Sequence, residues 1–481
     1  MDTRRLIEGR WIRWNEARAQ AAYAQGYWVR QTLADALQLA AAHTPERVLL
    51  VDKDVRLDCA ELHRQASALA QAMLVRAKPG SVVSFMLPNW HEAAVIYLAA
   101  QLAGMVVNPT LPSLRDRELL FVLHELERRL LFIPEQIRGY DYSQMLTRLV
   151  PQLANPPDVV VVRGEAGPHL SYAALFESGP AQELPAVDPD AARLVLYTSG
   201  TTGTPKGVLH SQNTIGALLR QIGRYWHVEP GDRFLVPSPI SHIGGSIYAF
   251  EAPLLLGSTA VLMDKWDADA ALRLLRDERC THMAGATPFL KQLLDAATRT
   301  GTRLPELKVF ICGGASVPPS LIRNAAAHFE HTIFTRVYGS TEVPVTTVGV
   351  PEPDDLRHAA ETDGRPGFGE VKLVDAAGQR AEAGEIRARG PQMLIGYLHP
   401  DDEAPLFDDE GYYRTGDLGR IVDGGYLVVS GRTKDIIIRK GENISPKEVE
   451  DYLTEHPNIA EVAIVGLPDE ERGERACAVI V

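Results

Sequence analysis

The stretch YTSGTTGTPKG, residues 197–207, directly follows the apolar run 194–196. Its eleven residues include three glycines, five serines and threonines, one proline and one lysine. The apolar run is typical of a buried strand, and a Gly-rich loop after a strand can present backbone amides to phosphate. Lys206 adds a positive charge suited to phosphate. The stretch therefore indicates a phosphate-binding loop, with a plain solvated turn as the open alternative.

Two well-known phosphate motifs do not match this loop. The pattern GxxxxGK[ST] fails because Gly207 follows Lys206 and because the preceding glycines have the wrong spacing. The dinucleotide fingerprint GxGxxG is absent from the loop. A helix-compatible run follows only at 214–225. These residues alone leave the choice between a phosphate loop and a turn open.

Length, charge and cysteine content narrow the class of protein. A chain of 481 residues is too long for a single core, so at least two units are expected. The net charge of -13 argues against a nucleic-acid surface, which needs clustered Lys and Arg. The start of the chain lacks a signal-peptide core, and the most apolar helical stretch, 93–107, is too short to span a bilayer. We expect a cytoplasmic protein without an integral membrane segment. Four scattered cysteines without a CxxC pair disfavour a zinc site or disulfide framework.

Hydrophobic patterns divide the chain into regions of different character. In the first region, buried-strand runs alternate with helical spacing, which predicts parallel sheets covered by helices. The predicted strands are 82–86, 159–162, 194–196, 234–236 and 259–263, and the predicted helices are 34–42, 61–75, 92–102 and 214–225. From about 367, short strands at 371–374, 384–388 and 425–430 predict a small antiparallel sheet or barrel. The last piece has strands at 436–438 and 462–465 and a helix at 446–454.

The complete loop string closely resembles the phosphate loop of the adenylate-forming superfamily. This superfamily includes acyl-CoA synthetases, the adenylation domains of peptide synthetases, and beetle luciferases. Further motifs follow in the family's order: YGSTE at 338–342, YRTGD at 413–417, and GRTKD at 431–435 leading into KGENI at 440–444. The overall pattern resembles acid–CoA ligases for cyclohexanecarboxylate or medium-chain acids.

The resemblance implies an α/β fold with a large N-terminal domain and a small C-terminal domain. The large domain, 1–431, would contain two α/β subdomains and a small β-barrel at about 367–430. A hinge at 432–434, centred on Lys434, would lead to a mobile α+β domain that is incomplete at 435–481.

The implied reaction has two steps. A carboxylate attacks the α-phosphate of ATP and expels pyrophosphate, and the thiol of CoA then displaces AMP from the acyl-adenylate. Because the first step joins anions, the enzyme must supply positive charge and fixed donors. Glu342 is similar to the family's magnesium ligand, and a carboxylate together with substrate phosphates is a typical Mg²⁺ site.

The resemblance also implies which residues carry the site. Lys206, Thr341, Glu342 and His242 are the implied catalytic residues. Thr341 would contact the α-phosphate, Tyr338 would stack on adenine, and Asp417 would accept the ribose hydroxyls. The implied ATP-binding residues are Thr198, Ser199, Gly200, Thr201, Thr202, Gly203, Lys206, Gly313, Gly314, Ala315, Tyr338, Gly339, Thr341, Asp417 and Arg432. Lys440 and Gly441 would lie near the CoA tunnel.

The segment PISHIGG, 239–245, resembles the segment that lines the family's acyl pocket. The implied lining is His242, Ile243, Gly244, Val337, Gly339, Pro344 and Val345. Relatives that activate amino acids carry an aspartate here, whereas residues 240–250 contain no acidic side chain. Because a buried ammonium without a partner is costly, amino acids are disfavoured as substrates. We expect a medium-sized apolar acid: medium-chain, alicyclic or aryl.

The family's catalytic lysine lies in a PKTxxGK-like segment that does not occur before Val481. If that lysine is absent, we expect weak adenylation, because losing one preorganised charge costs roughly 10²–10³-fold in rate. One open alternative is therefore a protein that binds ATP or an acyl-adenylate without efficient turnover. Another is a ligase that loads the acyl group onto a carrier protein. Truncation and a homodimer also remain open.

Overall fold

The computed structural model describes residues 3–126, 128–177, 183–198, 205–329, 331–403, 406–439, 442–454, 456, 458–459, 461–469 and 473–481. The strands within these ranges are β1 (Thr3–Ile7), β2 (Arg10–Trp14), β3 (Val48–Asp52), β4 (Val55–Asp58), β5 (Val82–Phe85), β6 (Val106–Pro109), β7 (Arg128–Ile133), β8 (Gln136–Ile137), β9 (Tyr140–Asp141), β10 (Asp158–Val161), β11 (Leu170–Ser171), β12 (Ala192–Thr198), β13 (Lys206–Ser211), β14 (Arg233–Val236), β15 (Thr259–Leu262), β16 (His282–Gly285), β17 (Val309–Gly313), β18 (Ile333–Val337), β19 (Glu370–Val374), β20 (Arg380–Ala381), β21 (Ala383–Arg389), β22 (Gly396–Tyr397), β23 (Tyr413–Val422), β24 (Tyr426–Arg432), β25 (Ile437–Arg439), β26 (Glu442–Ile444), β27 (Val462–Asp469) and β28 (Gly473–Ile480).

The α-helices in the same ranges are α1 (Glu16–Ala24), α2 (Leu33–His43), α3 (Cys59–Arg76), α4 (His91–Leu102), α5 (Asp116–Glu125), α6 (Tyr142–Leu149), α7 (Gln212–Tyr225), α8 (Ile243–Ser246), α9 (Ala252–Leu255), α10 (Ala268–Asp277), α11 (Thr287–Thr300), α12 (Pro319–His328), α13 (Leu356–Glu361) and α14 (Pro446–Thr454). A π-helical turn, Ile247–Glu251, joins α8 to α9. Within the described ranges, no helix is long and apolar enough to cross a membrane.

Two large sheets and the helices around them form most of the chain. The first sheet has the strand order β11-β10-β7-β5-β6-β12-β13-β22 and is parallel from β11 to β12. The second has the order β18-β17-β16-β14-β15-β3-β4 and is parallel except at β3–β4. The two predicted α/β subdomains are therefore confirmed, because buried strands that alternate with helices form mostly parallel sheets.

Helix α4 is enclosed between the two sheets. Every residue from 93 to 102 is buried, so this helix is apolar on all sides rather than along one stripe. The largest core cluster combines residues of α3, α4 and α7 with strand residues of both sheets. The two sheets consequently share one core, which fixes the relative positions of their strand ends.

The two smaller sheets follow in the second half of the chain. Strands β20-β19-β21-β23-β24 form an antiparallel sheet, and strands β26-β25-β28-β27 pack with α14 in an α+β unit. The predicted small β-barrel is wrong: within the described residues the edge strands β20 and β24 do not pair with each other. Strand β20 has only two residues, which is too short to close the sheet. The predicted hinge falls on a 3₁₀ turn, Thr433–Asp435, where Lys434 is exposed.

The loop at 197–207 connects two antiparallel strands in the structure rather than leading from a strand towards a helix. Strands β12 and β13 form an antiparallel pair that ends with Thr198 opposite Lys206. Helix α7 begins only after β13, and Ser211 caps it by accepting a hydrogen bond from Thr214 N at 3.2 Å. Both ends of the predicted phosphate loop therefore belong to an antiparallel strand pair, and β13 is an element that the sequence patterns missed.

Candidate active site

The two ends of the phosphate loop are described, and its centre is not. Thr198 and Lys206 pair across the hairpin. Lys206 Nζ lies 3.2 Å from Asp402 Oδ1 and 5.8 Å from the centre of the Tyr397 ring. The loop residues 199–204 lie outside the described ranges, and they include the predicted ATP-binding residues Ser199, Gly200, Thr201, Thr202 and Gly203. Their contacts with ATP therefore stay predictions.

Glu342 lies beside the same tyrosine. Tyr397 Oη donates to Glu342 Oε1 at 3.1 Å and lies 3.3 Å from Tyr413 Oη. Burial, and then the charge of Glu342, raise the pKa of both tyrosines, so both hydroxyls keep their protons at neutral pH. Glu342 is only 8% exposed, and among the described residues no Lys, Arg or His forms an ion pair with it. A buried carboxylate without a cationic side chain fits a divalent cation such as Mg²⁺.

Three of the family motifs meet at Asp417. Tyr338 Oη donates to Asp417 Oδ2 at 2.6 Å, and Arg432 Nε lies 3.1 Å from Asp417 Oδ1. Burial raises the pKa of Asp417, while the hydrogen bond from Tyr338 and the charge of Arg432 act in the opposite direction. The structure thus brings the predicted adenine, ribose and arginine positions together through one carboxylate.

Glycines allow the backbone segments around Tyr338 to approach closely. A Cβ on Gly313 would lie 2.9 Å from Val337 O, and a Cβ on Gly339 would lie 2.6 Å from Val345 N. Gly314 has a φ of +81° and is exposed with Ala315 at the end of β17. A larger residue at 313 or 339 would force these segments apart.

The predicted acyl-pocket residues lie on α8 and around the end of β18. Ile243, Val337 and Val345 pack against the largest core cluster, and Pro344 is buried. His242 precedes α8 and is exposed. The two glycines of α8 have different surroundings. A Cβ on Gly244 would meet no atom within 4 Å, whereas a Cβ on Gly245 would lie 2.3 Å from Pro239 O.

Thr341 contacts a residue that the sequence analysis did not single out. His210 Nε2 lies 2.7 Å from Thr341 O, and its Nδ1 lies 3.1 Å from Thr214 Oγ1. His210 is fully buried, and burial lowers its pKa to about 4. The sequence did contain one signal, because positions 206, 208 and 210 of a strand share one face. Because β13 was not predicted, this spacing could not be used to place His210 on the same face as Lys206.

The small C-terminal unit touches the loop after β17. Lys447 Nζ donates to Ser316 Oγ at 3.1 Å, and the Ser316 hydroxyl donates to Asp451. Helix α14 is therefore anchored next to the predicted adenine site at Ala315. Lys440 and Gly441, the predicted CoA residues, lie outside the described ranges.

Comparison with known proteins agrees with this arrangement of motifs. The family model described as AMP-binding enzyme matches residues 37–398, and that of the AMP-binding enzyme C-terminal domain matches residues 448–481. The chain belongs to the AMP-binding enzyme family. Within this family it is an acid–thiol ligase of the acyl-CoA synthetase type.

The relatives include enzymes with different acids and acceptors. A medium-chain fatty-acid–CoA ligase of Escherichia coli (strain K12) is 37% identical over 98% of this chain and 84% of its own length. A salicyl-AMP ligase / salicyl-S-ArCP synthetase of Mycobacterium tuberculosis is 32% identical over 96% and 84%. Among solved structures, o-succinylbenzoate–CoA synthetase from Bacillus subtilis, in complex with its acyl-adenylate intermediate, superposes with a TM-score of 0.82 at 25% identity, over 94% of this chain and 88% of that one.

Proposed function

We propose that this ligase activates a medium-sized apolar carboxylic acid with ATP and Mg²⁺ and transfers the acyl group to CoA. The observation that carries the substrate class is the acyl-pocket segment. Ile243, Val337 and Val345 pack their apolar side chains against the largest core cluster, and Gly244 is exposed, with no atom within 4 Å of the position that a Cβ would take. Residues 240–250 offer no carboxylate for a substrate ammonium. The relative from Escherichia coli, a medium-chain fatty-acid–CoA ligase, supports the same class.

The first step needs the ATP phosphates, the acid and the nucleotide to be held together. Lys206 would pair with a phosphate, and Thr341 would contact the α-phosphate that the carboxylate attacks. Asp417 would orient the ribose through its two oxygens, one of which Tyr338 holds at 2.6 Å. Glu342 would hold Mg²⁺, which supplies positive charge that offsets the repulsion between the phosphates and the incoming acid.

The substrate class is tested with a panel of acids and a matched pocket variant. Thioester formation is measured with hexanoate, octanoate, cyclohexanecarboxylate, benzoate, acetate and phenylalanine, each with ATP, Mg²⁺ and CoA. We expect the highest kcat/KM with the medium-sized apolar acids, because each pocket methylene contributes about 1–3 kcal/mol. A preference for acetate or phenylalanine contradicts the proposal.

Gly244→Leu examines the pocket directly, because its added Cβ meets no atom within 4 Å. The longer side chain would occupy space that we assign to the acyl group. We therefore expect the KM for octanoate to rise at least tenfold more than the KM for acetate, on the scale of about 1–3 kcal/mol for each methylene. Binding of acyl-sulfamoyl adenosines of two and eight carbons, measured by calorimetry, gives a readout that does not require turnover. Equal weakening of both analogues would place Gly244 outside the pocket.

A carrier protein is the second candidate acceptor. The salicyl-AMP ligase / salicyl-S-ArCP synthetase, at 32% identity, favours this alternative. The two acceptors are distinguished by supplying a preformed octanoyl-adenylate with either CoA or a phosphopantetheinylated carrier protein and measuring AMP release. Faster release with CoA supports the proposal, and faster release with the carrier overturns its acceptor.

A further inference from the structure

His210 links the strand that begins at Lys206 to the peptide group between Thr341 and Glu342. Its Nε2 lies 2.7 Å from Thr341 O. Because a carbonyl oxygen only accepts, Nε2 must carry the proton, and Nδ1 is then an acceptor facing Thr214 Oγ1 at 3.1 Å. The ring is 0% exposed, and burial lowers its pKa to about 4, so it is neutral at physiological pH.

The contact fixes the backbone on both sides of Glu342. Thr341 O belongs to the peptide that enters Glu342, and Glu342 O, on the peptide that leaves it, accepts from Leu394 N at 2.7 Å. Strand β13 and the segment just before β22, which are distant in sequence, thus hold the two peptide groups that set the direction of the Glu342 side chain. An unpaired buried carbonyl would be costly, so loss of either donor favours a different backbone path.

The orientation of the ring is itself fixed by helix α7. Thr214 Oγ1 accepts from Ser211 N at 3.1 Å as part of the helix cap, and it lies 3.1 Å from Ser211 O. With Nε2 protonated, Nδ1 can only accept, so the single Thr214 hydroxyl proton can be donated either to Ser211 O or to His210 Nδ1. The cap that begins α7 therefore also holds the imidazole in the tautomer that donates to Thr341 O.

We propose that His210 is a positioning residue for nucleotide and metal binding, because it holds the Thr341–Glu342 peptide in the direction that the α-phosphate and Mg²⁺ require. The inference rests on the proposed roles of Thr341 and Glu342. It does not depend on which acid is activated. Strand geometry supports it, since Lys206 and His210 share one face of β13 and thus couple the phosphate loop to the same segment.

The chain contains a matched control in His282. That ring is 1% exposed, its Nε2 lies 2.9 Å from Trp226 O, and its Nδ1 lies 2.9 Å from Thr281 Oγ1. Burial lowers its pKa as well. His282 therefore makes the same kind of contact as His210, but Trp226, which supplies its carbonyl partner, is not a predicted substrate-binding residue.

The test measures Mg·ATP binding by calorimetry and thermal stability for the wild type, His210→Leu, His210→Gln and His282→Leu. Losing the donor to the partly buried Thr341 carbonyl should weaken Mg·ATP binding about tenfold in His210→Leu. Glutamine keeps an N–H at a similar reach and should restore the affinity to within about threefold. His282→Leu should lower the melting temperature but leave the affinity within about twofold. Equal weakening in His210→Leu and His282→Leu overturns the proposal, as does failure of glutamine to restore binding.

A second comparison keeps the proposal testable if His210→Leu does not fold. His210→Asn places its N–H nearer to the position of Nδ1 than of Nε2, so it should bind Mg·ATP more weakly than His210→Gln. Equal affinities would overturn the proposal. A wrong substrate class would give a different result from a wrong role for His210. In that case the wild type would be inactive with apolar acids, while the Mg·ATP affinities of the His210 and His282 variants would still follow the predicted order.

Discussion

Replacing Glu251 by glutamine should remove a pH-dependent part of the free energy of unfolding. Glu251 ends the π-helical turn that follows α8, and it is 6% exposed. Tyr97 Oη donates to its Oε1, whereas Oε2 has no hydrogen-bond partner among the described residues. Burial, which Tyr97 only partly offsets, raises the pKa of Glu251 from 4.5 to about 7.

The direction of the pH dependence follows from the pKa of Glu251, which is 4.5 in the unfolded chain and about 7 in the folded protein. Between pH 4.5 and about 7 the folded protein keeps the Glu251 proton and the unfolded chain releases it. The contribution of the carboxyl group to stability is therefore fully present below pH 4.5 and is lost as the pH rises to about 7. At 1.36 kcal/mol per pH unit, the loss between pH 5 and 8 amounts to roughly 2–3 kcal/mol.

The assay is urea unfolding of the wild type and Glu251→Gln at several values between pH 5 and 8. The amide does not titrate, so the variant should gain roughly 2–3 kcal/mol relative to the wild type across this interval. Glu46→Gln is the control, because Glu46 is exposed and should show no comparable trend. An infrared difference spectrum should show a protonated carboxyl band that disappears near pH 7 in the wild type alone. A difference in unfolding free energy that is independent of pH would refute the reasoning.

Three further substitutions examine the nucleotide site. Asp417→Ala should raise the KM for ATP at least tenfold and the KM for the acid far less, because the ribose loses charged hydrogen bonds; equal effects in steady-state kinetics would count against the ribose assignment. Asp402→Asn should tighten Mg·ATP binding about two- to fivefold by releasing Lys206 from a partly buried ion pair, and weaker binding in calorimetry would contradict this. Gly339→Ala should lower both activity and melting temperature, since its Cβ would lie 2.6 Å from Val345 N; an unchanged protein would show that the turn can adjust.

The strands and helices that local patterns predicted have counterparts in the structure, but β17, β18 and β23, which lie at the site, were not among them. The predicted helix at 446–454 coincides with α14, and the strands predicted at 82–86 and 234–236 differ from β5 and β14 by one residue. These segments succeed because apolar spacing and turn residues act over a few neighbours. Strand β13 was missed because a short segment after a Gly-rich loop has no pattern long enough to separate a strand from a turn.

Contacts across the chain were beyond the reach of such patterns. Asp402 lies 196 positions after Lys206, and His210 lies 131 positions before Thr341. Neither contact can therefore be predicted from the spacing of neighbouring residues. The family motifs marked Tyr338 and Asp417 as separate sites, but their 2.6 Å hydrogen bond follows only from the packing of β23 near the end of β18. The predicted barrel was wrong for a related reason, because closure depends on how the edge strands are paired and not on strand propensity.

The paired charges of the site bear on how it distinguishes ATP from smaller anions. Lys206 lies 3.2 Å from Asp402, and Arg432 lies 3.1 Å from Asp417, so each predicted cation already has a carboxylate partner. A phosphate that binds Lys206 must compete with Asp402, and the net gain from exchanging one anionic partner for another is small. Inorganic phosphate can replace only one of these carboxylate partners. With the proposed roles of Glu342 and Asp417, a ligand that reaches Lys206, Glu342 and Asp417 together would gain metal coordination and ribose hydrogen bonds as well, so the proposed arrangement would favour a complete nucleotide.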